Sequence, residues 1–452
     1  MISEKLSVKE KLGFSAGEYS SSIVWQTLMF FLPAFYTDTF GLSAAAVGTM
    51  FLIIRFFDAF NDPIMGVIAD RTNTRWGKFR PYILWFAVPY GVLAMLMFTT
   101  PNFSDSGKVI YAYITYGLMM VMYTVIMIPY NSWVGVISPN SEERTSVSSY
   151  KFVFAYLAGI TVQAAVLPMV AYFGAGNDAE GYSTTMIILG AISILFFLIT
   201  FFSAKERVQP EVKEKSKLKD DLKDLLQNKD WIMIFITSIL LLIYVIIRSG
   251  DIMYYFEYYL GDKDLASAFM VTGTIAVLLG VMPTKWLSAK IGKKNLFIIS
   301  LAIIAVSQIG FFFTGPDDIV MIFALQIIFS LASGPTMPLM WAMLADTADY
   351  SEWKSHRRAT GLIFSATNMS IKSGVAIGGA AIMWILAYYG YEANQTQTEE
   401  SIFGIKMMMS IIPAVIAALS IIPLFFYKLD EEKLTIIENE LRERKKTIDP
   451  GT

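Results

Sequence analysis

The stretch Ala44-Ala-Ala-Val-Gly-Thr-Met-Phe-Leu-Ile-Ile-Arg55-Phe-Phe-Asp58-Ala-Phe-Asn61-Asp62-Pro63-Ile-Met-Gly66-Val-Ile-Ala-Asp70-Arg71 decides what kind of chain this is. It is apolar over the ~20 residues a membrane helix needs, yet it carries ionisable side chains in its middle and ends in a basic loop. Working outward, residues 81–104, 109–141, 152–177, 181–204, 265–284, 295–316 and 319–345 contain no Asp, Glu, Lys or Arg. Residues 14–37, 44–69, 231–260, 359–391 and 407–427 are apolar with isolated charges. The pattern reads as an all-α membrane protein of 12 transmembrane helices. Composition agrees: 16 % of the 452 residues are charged and the mean hydropathy is +0.52, where an average soluble protein is roughly 25 % charged. The chain has no Cys and a single His, His356, so disulfides, thiol chemistry and His/Cys metal sites are excluded. A formal net charge of −2 offers no basic excess for nucleic acid. No nucleophile-and-base constellation stands out, so neither an enzyme nor an organic cofactor is expected.

Basic residues resist translocation, which sets the orientation. With both termini cytoplasmic, the inner segments hold 30 of the 36 Lys and Arg, and the outer connections hold only Lys108, Lys263 and Lys406. Residues 1–12 are charged and lead straight into a full-length span, so no cleavable signal is expected. The charged segment between spans six and seven divides the chain. The expected organisation is a six-helix bundle over 1–204, a cytoplasmic linker over 205–230, a second six-helix bundle over 231–427 and a cytoplasmic tail over 428–452. In the linker, Leu218, Leu222, Leu225 and Leu226 are spaced as one face of an amphipathic helix, and Leu434, Ile437 and Leu441 repeat this in the tail. Both read as surface-packing helices.

After span two the chain reads Gly66-Val-Ile-Ala-Asp70-Arg71-Thr-Asn-Thr-Arg75, and after span eight a weaker counterpart reads Ala289-Lys290-Ile291-Gly292-Lys293-Lys294. Gly66, Asp70, Arg71 and Arg75 resemble the conformational loop signature of the major facilitator superfamily. That resemblance implies two six-helix bundles rocking about a central site.

An ionisable group at mid-membrane costs roughly 2.5 to 3.5 kcal/mol, so each is a functional suspect. Arg55, Asp58 and Asp62 fall at i, i+3 and i+7, on one helical stripe. Two carboxylates one turn apart are hard oxygen donors whose mutual repulsion a proton or a small cation relieves. Asp58 and Asp62, with Asn61 beside them, therefore form a candidate cation site, with Na⁺ or H⁺ as its occupant. Pro63 loosens the helix there and frees a nearby carbonyl. The alternative is a structural Arg55–Asp58 pair with Asp62 at the water boundary. Lys372 stands in span eleven beside a Gly374/Gly378 pair that permits close helix contact, with Glu18 of span one as a candidate partner. Glu18, Asp58 and Asp62 against Arg55 and Lys372 leave one negative charge, which one monovalent cation would balance. Arg248 and Asp251, at i and i+3, are expected to satisfy each other. His356 is expected to be solvated.

Taken together, Arg55-Phe-Phe-Asp58-Ala-Phe-Asn61-Asp62-Pro63, Asp70-Arg71-Thr72, Arg75-Trp76-Gly77-Lys78-Phe79-Arg80-Pro81, Ile128-Pro129-Tyr130, Glu143-Arg144-Thr145 and Lys372-Ser373-Gly374 resemble the glycoside-pentoside-hexuronide:cation symporter family over essentially the whole chain. The resemblance implies uptake of a sugar or sugar derivative driven by Na⁺, Li⁺ or H⁺, in a multi-pass protein of the bacterial inner membrane. It matches Asp58 and Asp62 to the family's cation-site carboxylates and Lys372 to its span-eleven lysine. The chain departs from melibiose permease at Met127, Asn131, Ser21 and Ser22, so the galactoside pocket does not carry over. An anionic sugar met by Lys151 and Lys372 is one reading.

Sugar rings stack on aromatic faces while their hydroxyls seek polar side chains. The residues placed to do this are Trp25, Gln26, Tyr123, Tyr130, Asn131 and Asn368, with Glu18, Lys151 and Lys372. A lysolipid carrier on the same scaffold and a sugar sensor that does not transport are the alternatives. Expected partners are a small sugar, a monovalent cation and the bilayer, with the protein a monomer.

Overall fold

The computed structural model describes residues 5–138, 140–207, 225–355 and 360–448. Leu218, Leu222 and His356 lie outside them. The chain forms α1 (Val8–Ala34), α2 (Ala44–Arg71), α3 (Arg80–Met97), α4 (Asp105–Val134), α5 (Ser141–Gly174), α6 (Asp178–Ser203), α7 (Lys229–Tyr254), α8 (Leu265–Val281), α9 (Thr284–Ile291), α10 (Lys293–Phe312), α11 (Ile319–Ser333), α12 (Thr336–Ser355), α13 (Thr360–Tyr388), α14 (Glu399–Met409), α15 (Ile411–Phe426) and α16 (Glu431–Ile448). Nine helical runs among the described residues are long and apolar enough to cross a membrane. A tenth follows when α8 and α9, bent by 49°, count together. These ten fall in order on expected spans three to twelve. The first two expected spans are α1 and α2, 27 and 28 residues long. Both carry charges, and α1 has a run of serines at 20–22.

The starts of several helices are written in single residues. Ser7, Ser43, Ser104 and Asn177 each accept a backbone N–H of the first turn of α1, α2, α4 and α6. Two helices share an unusual ending. α1 runs into a π-helical turn at Phe35–Thr39 and α7 into another at Tyr255–Tyr259. Phe40 and Leu260 close the turns onto the carbonyls of Phe35 and Tyr255, and Gly41 and Gly261 follow at φ +78° and +71°. Only glycine adopts that conformation without strain. The first helix of each half thus ends by the same device, an internal repeat that the basic loops only hint at.

The chain divides into two compact units: Met1–Val212 with Ile252–Val271 and Ala380–Ile402, and Lys213–Asp251 with Thr272–Gly379 and Phe403–Thr452. In the first, α1 lies against α5 and α6, α3 against α4 and α6, and α2 against α4. A Cβ on Gly13 would meet Ser203 and one on Gly91 would meet Ile194, both at under 2.5 Å, so small residues set how closely these helices approach. In the second unit α10 packs on α11 and α15, and α13 meets α7 through Gly374 and Gly378. A Cβ on Gly374 would sit 2.7 Å from the Ile239 carbonyl oxygen. Leu434, Ile437 and Leu441 of the tail helix α16 are buried, and Trp353 of α12 donates to its Glu440 at 2.7 Å. The tail stripe therefore seats on α12.

The segment between α2 and α3 is held from the far end of α6. The Glu206 carboxylate accepts the backbone N–H groups of Lys78, Phe79 and Arg80 at 2.9, 2.7 and 2.9 Å. A carboxylate suits a helix N-terminus, where unpaired N–H groups carry the positive end of the dipole. Gly77 makes the approach possible: its φ is +111°, and a Cβ there would fall 2.5 Å from the Glu206 carboxyl. Glu206→Ala should cost about 1 to 3 kcal/mol by leaving those donors unmet, and Gly77→Ala should be at least as damaging. Thermal unfolding in detergent tests both; unchanged midpoints would refute the cap.

Candidate functional site

α2 and α4 lie side by side, and this contact gathers the charged stripe. Asp58 is 4 % exposed and Arg55 6 %. The Thr124 hydroxyl of α4 is 2.9 Å from Asp58 Oδ1 and 3.1 Å from Asp62 Oδ1. One hydroxyl carries one proton, so it cannot fully serve two carboxylates. Its oxygen and theirs instead define a small pocket of hard oxygen donors, which suits a monovalent cation or a shared proton. Asn61 lies half-buried on the same turn of α2.

Arg55 points along the same face. Its Nε donates to the Tyr116 hydroxyl at 2.9 Å, and its guanidinium lies 4.6 Å from the centre of the Trp25 ring. A cation over an aromatic face is stabilised by the ring's quadrupole, and more so when desolvated. Trp25 in turn packs against Tyr123, ring centres 4.7 Å apart. Tyr123 precedes Thr124 on α4, and the charges of Asp58, Asp62 and Arg55 act on its hydroxyl. Gln26 sits beside this surface, against Gly159 of α5.

A second charged group lies on α1, α4 and α5. Lys151 makes an ion pair with Glu18 at 3.3 Å, donates to Asn131 at 2.7 Å, and lies 4.6 Å from the centre of the Tyr130 ring. Its charge is thus met by Glu18. Tyr130 is fully buried, stacks on Phe14, and donates its hydroxyl to the Phe14 carbonyl at 2.9 Å. Its hydroxyl is committed to the core, and only its ring remains for Lys151. Lys372 and Asn368 lie on α13 in the other unit, Lys372 half-buried and Asn368 exposed. Glu18, expected opposite Lys372, has Lys151 as its ion-pair partner within the first unit.

Of the loop residues, Arg71 and Arg75 are exposed, Arg75 stacks on Trp76 at 4.3 Å, and a Cβ on Gly66 would meet nothing within 4 Å. The side chain of Asp70 lies outside the described residues. Sequence reading missed Thr124 and Tyr116, because a hydroxyl in an apolar span gives no signal until a partner helix is known. It also missed a cluster at Asp38. There the carboxylate accepts the hydroxyls of Thr37 at 2.6 Å, Tyr258 at 3.0 Å and Tyr391. Lys263 pairs with Asp178 and Glu257 nearby. Cavities of about 560 and 330 Å³ flank this cluster, both touching Asn394.

The family described as MFS/sugar transport protein matches residues 13–431. The inner membrane symporter YicJ of Escherichia coli (strain K12) is 37 % identical over 99 % of this chain and 97 % of its own length. The isoprimeverose transporter of Lactiplantibacillus pentosus is 36 % identical over 93 % of this chain and 89 % of its own length. A bacterial homologue of the human lysosomal transporter Spinster, solved by crystallography, has the same fold, with a TM-score of 0.71 at 13 % identity over 93 % of this chain and 98 % of that one.

Thr124→Val keeps the volume and removes the oxygen. It should raise the cation concentration for half-maximal uptake roughly tenfold, the equivalent of about 1.4 kcal/mol, while Thr124→Ser stays near the parent. Uptake in vesicles across a series of cation concentrations measures this, and an unaltered curve for the valine variant would remove Thr124 from the site.

Proposed function

The chain belongs to the MFS/sugar transport protein family and is a multi-pass transporter of the cell membrane, not an enzyme; from that premise we propose that it takes up a glycoside together with one monovalent cation held by Asp58 and Asp62. The observation that carries this reading is the convergence of both carboxylates on the Thr124 hydroxyl, directly beside the Trp25–Tyr123 surface. Glu18 and Lys151 cancel as a pair, so Arg55, Asp58 and Asp62 together bear one net negative charge. A single Na⁺, Li⁺ or H⁺ neutralises it.

Coupling follows from the shared wall. Cation binding draws Asp58 and Asp62 together and fixes Thr124, which steadies the adjoining Tyr123 and the Trp25 that packs on it. A sugar stacked on those rings then binds better to the cation-loaded protein, and by reciprocity the cation binds better beside the sugar. Gln26, Asn131 and Glu18 supply hydrogen bonds to sugar hydroxyls, and Lys372 and Asn368 are the second unit's candidates for the same task. An uncharged glycoside suits this wall better than a hexuronide, because Lys151, the lysine on this side, already has Glu18. Uptake by alternating access across a bacterial inner membrane requires a path that opens to each side of the membrane in turn.

Asp58→Cys and Asp62→Cys should each abolish accumulation driven by an ion gradient. Counterflow of labelled glycoside, which needs no gradient, distinguishes a transporter from a protein that only binds sugar. Normal concentrative uptake by either variant would refute the cation role of that residue.

A further inference from the structure

Asp251 of α7 has no exposure to solvent, and neither of its carboxylate oxygens has a hydrogen-bond donor among the described residues. An ionised carboxylate buried without donors in a membrane-embedded helix is among the least stable arrangements a protein can hold. Its natural partner stands one turn away and is engaged elsewhere. Arg248 donates from Nε to the Gln308 side-chain oxygen at 3.0 Å and from Nη2 to that of Gln326, and lies 3.9 Å from the centre of the Phe329 ring. That niche is built for it. Gln308 is itself held through Nε2 to the Met409 carbonyl at 3.2 Å, and Gln326 fills space that only a glycine at 273 leaves open, since a Cβ there would fall 2.1 Å from its amide nitrogen.

Among the described residues, the neighbouring side chains that face this stripe bring no second charge. α10 supplies Gln308, α11 supplies Gln326, and α13 supplies Gly374 and Gly378, none of which titrates. On α7 itself the titratable groups along this stripe are Tyr244 and Arg248, and the charge acting on Asp251 is that of Arg248.

We propose that Asp251 is a proton-binding site, occupied in this conformation and separate from the Asp58/Asp62 pair of the other unit. In the occupied state the neutral acid tolerates its surroundings while the two glutamines hold Arg248. When movement of α7 admits water, the O–H bond breaks, the proton passes to water and the electron pair stays on the carboxylate. Arg248, at i−3, then has a charged acceptor within reach and exchanges the glutamines for it. The site stands whether or not the sugar and cation assignments hold.

Infrared difference spectra of the full-length protein in membranes, parent minus Asp251→Asn, test this at neutral pH. The expected result is a carboxylic-acid carbonyl band in the parent that shifts in D₂O and is missing from the variant, with similar unfolding midpoints, since asparagine resembles the neutral acid. No such band, together with a destabilised Asp251→Asn that Arg248→Gln restores, would show an ionised pair and overturn the proposal. Where Asp251→Asn does not accumulate, Asp251→Glu serves as the reference, displacing the acid band if it exists and changing nothing in that region if it does not.

Discussion

The Thr124 hydroxyl, at 2.9 Å from one carboxylate and 3.1 Å from the next, shows the constraint under which this protein is built: charge inside a membrane must be met by a partner of opposite sign or by a donor. Asp58 and Asp62 sit one turn apart on α2, so neither can move away from the other. Both carboxylates are reached by the same Thr124 hydroxyl.

Other charges within the helices are handled differently. Arg55 rests on Trp25 and the Tyr116 hydroxyl, a neutral cradle that keeps its positive charge beside the carboxylates. Glu18 and Lys151 pair across α1 and α5 and drop out of the net charge. Arg248 is held by two glutamine oxygens and an aromatic face, while its neighbour Asp251 has no donor among the described residues. The spacing of Arg248 and Asp251 predicts that they satisfy each other; the structure places two better-aimed acceptors around the guanidinium, and the i, i+3 relation alone does not decide between them.

The ends of the helices carry their own logic. The π-turns after α1 and α7 aim Asp38 and Tyr258 so that their side chains meet at 3.0 Å, and Tyr391 beyond α13 joins them. Each such turn inserts one residue per hydrogen-bonded ring, which re-aims the side chains that follow. A carboxylate that accepts several hydroxyls is well satisfied without an opposite charge.

The apolar stretches and their flanking basic residues determined the helical membrane fold from the sequence, because a bilayer tolerates no unpaired backbone and so leaves a long apolar segment little choice but to be a helix. The sequence likewise placed Arg55, Asp58 and Asp62 on one stripe, since their spacing matches the helical period. Which helix faces that stripe was beyond its reach: Thr124, Tyr116 and the pairing of Glu18 with Lys151 depend on contacts between residues 61 to 133 positions apart. A hydroxyl or a lysine has the same letter whether it points at lipid, water or a carboxylate. Only the packing of one helix against another settles which, because that packing removes water from one set of side chains and leaves it on the rest.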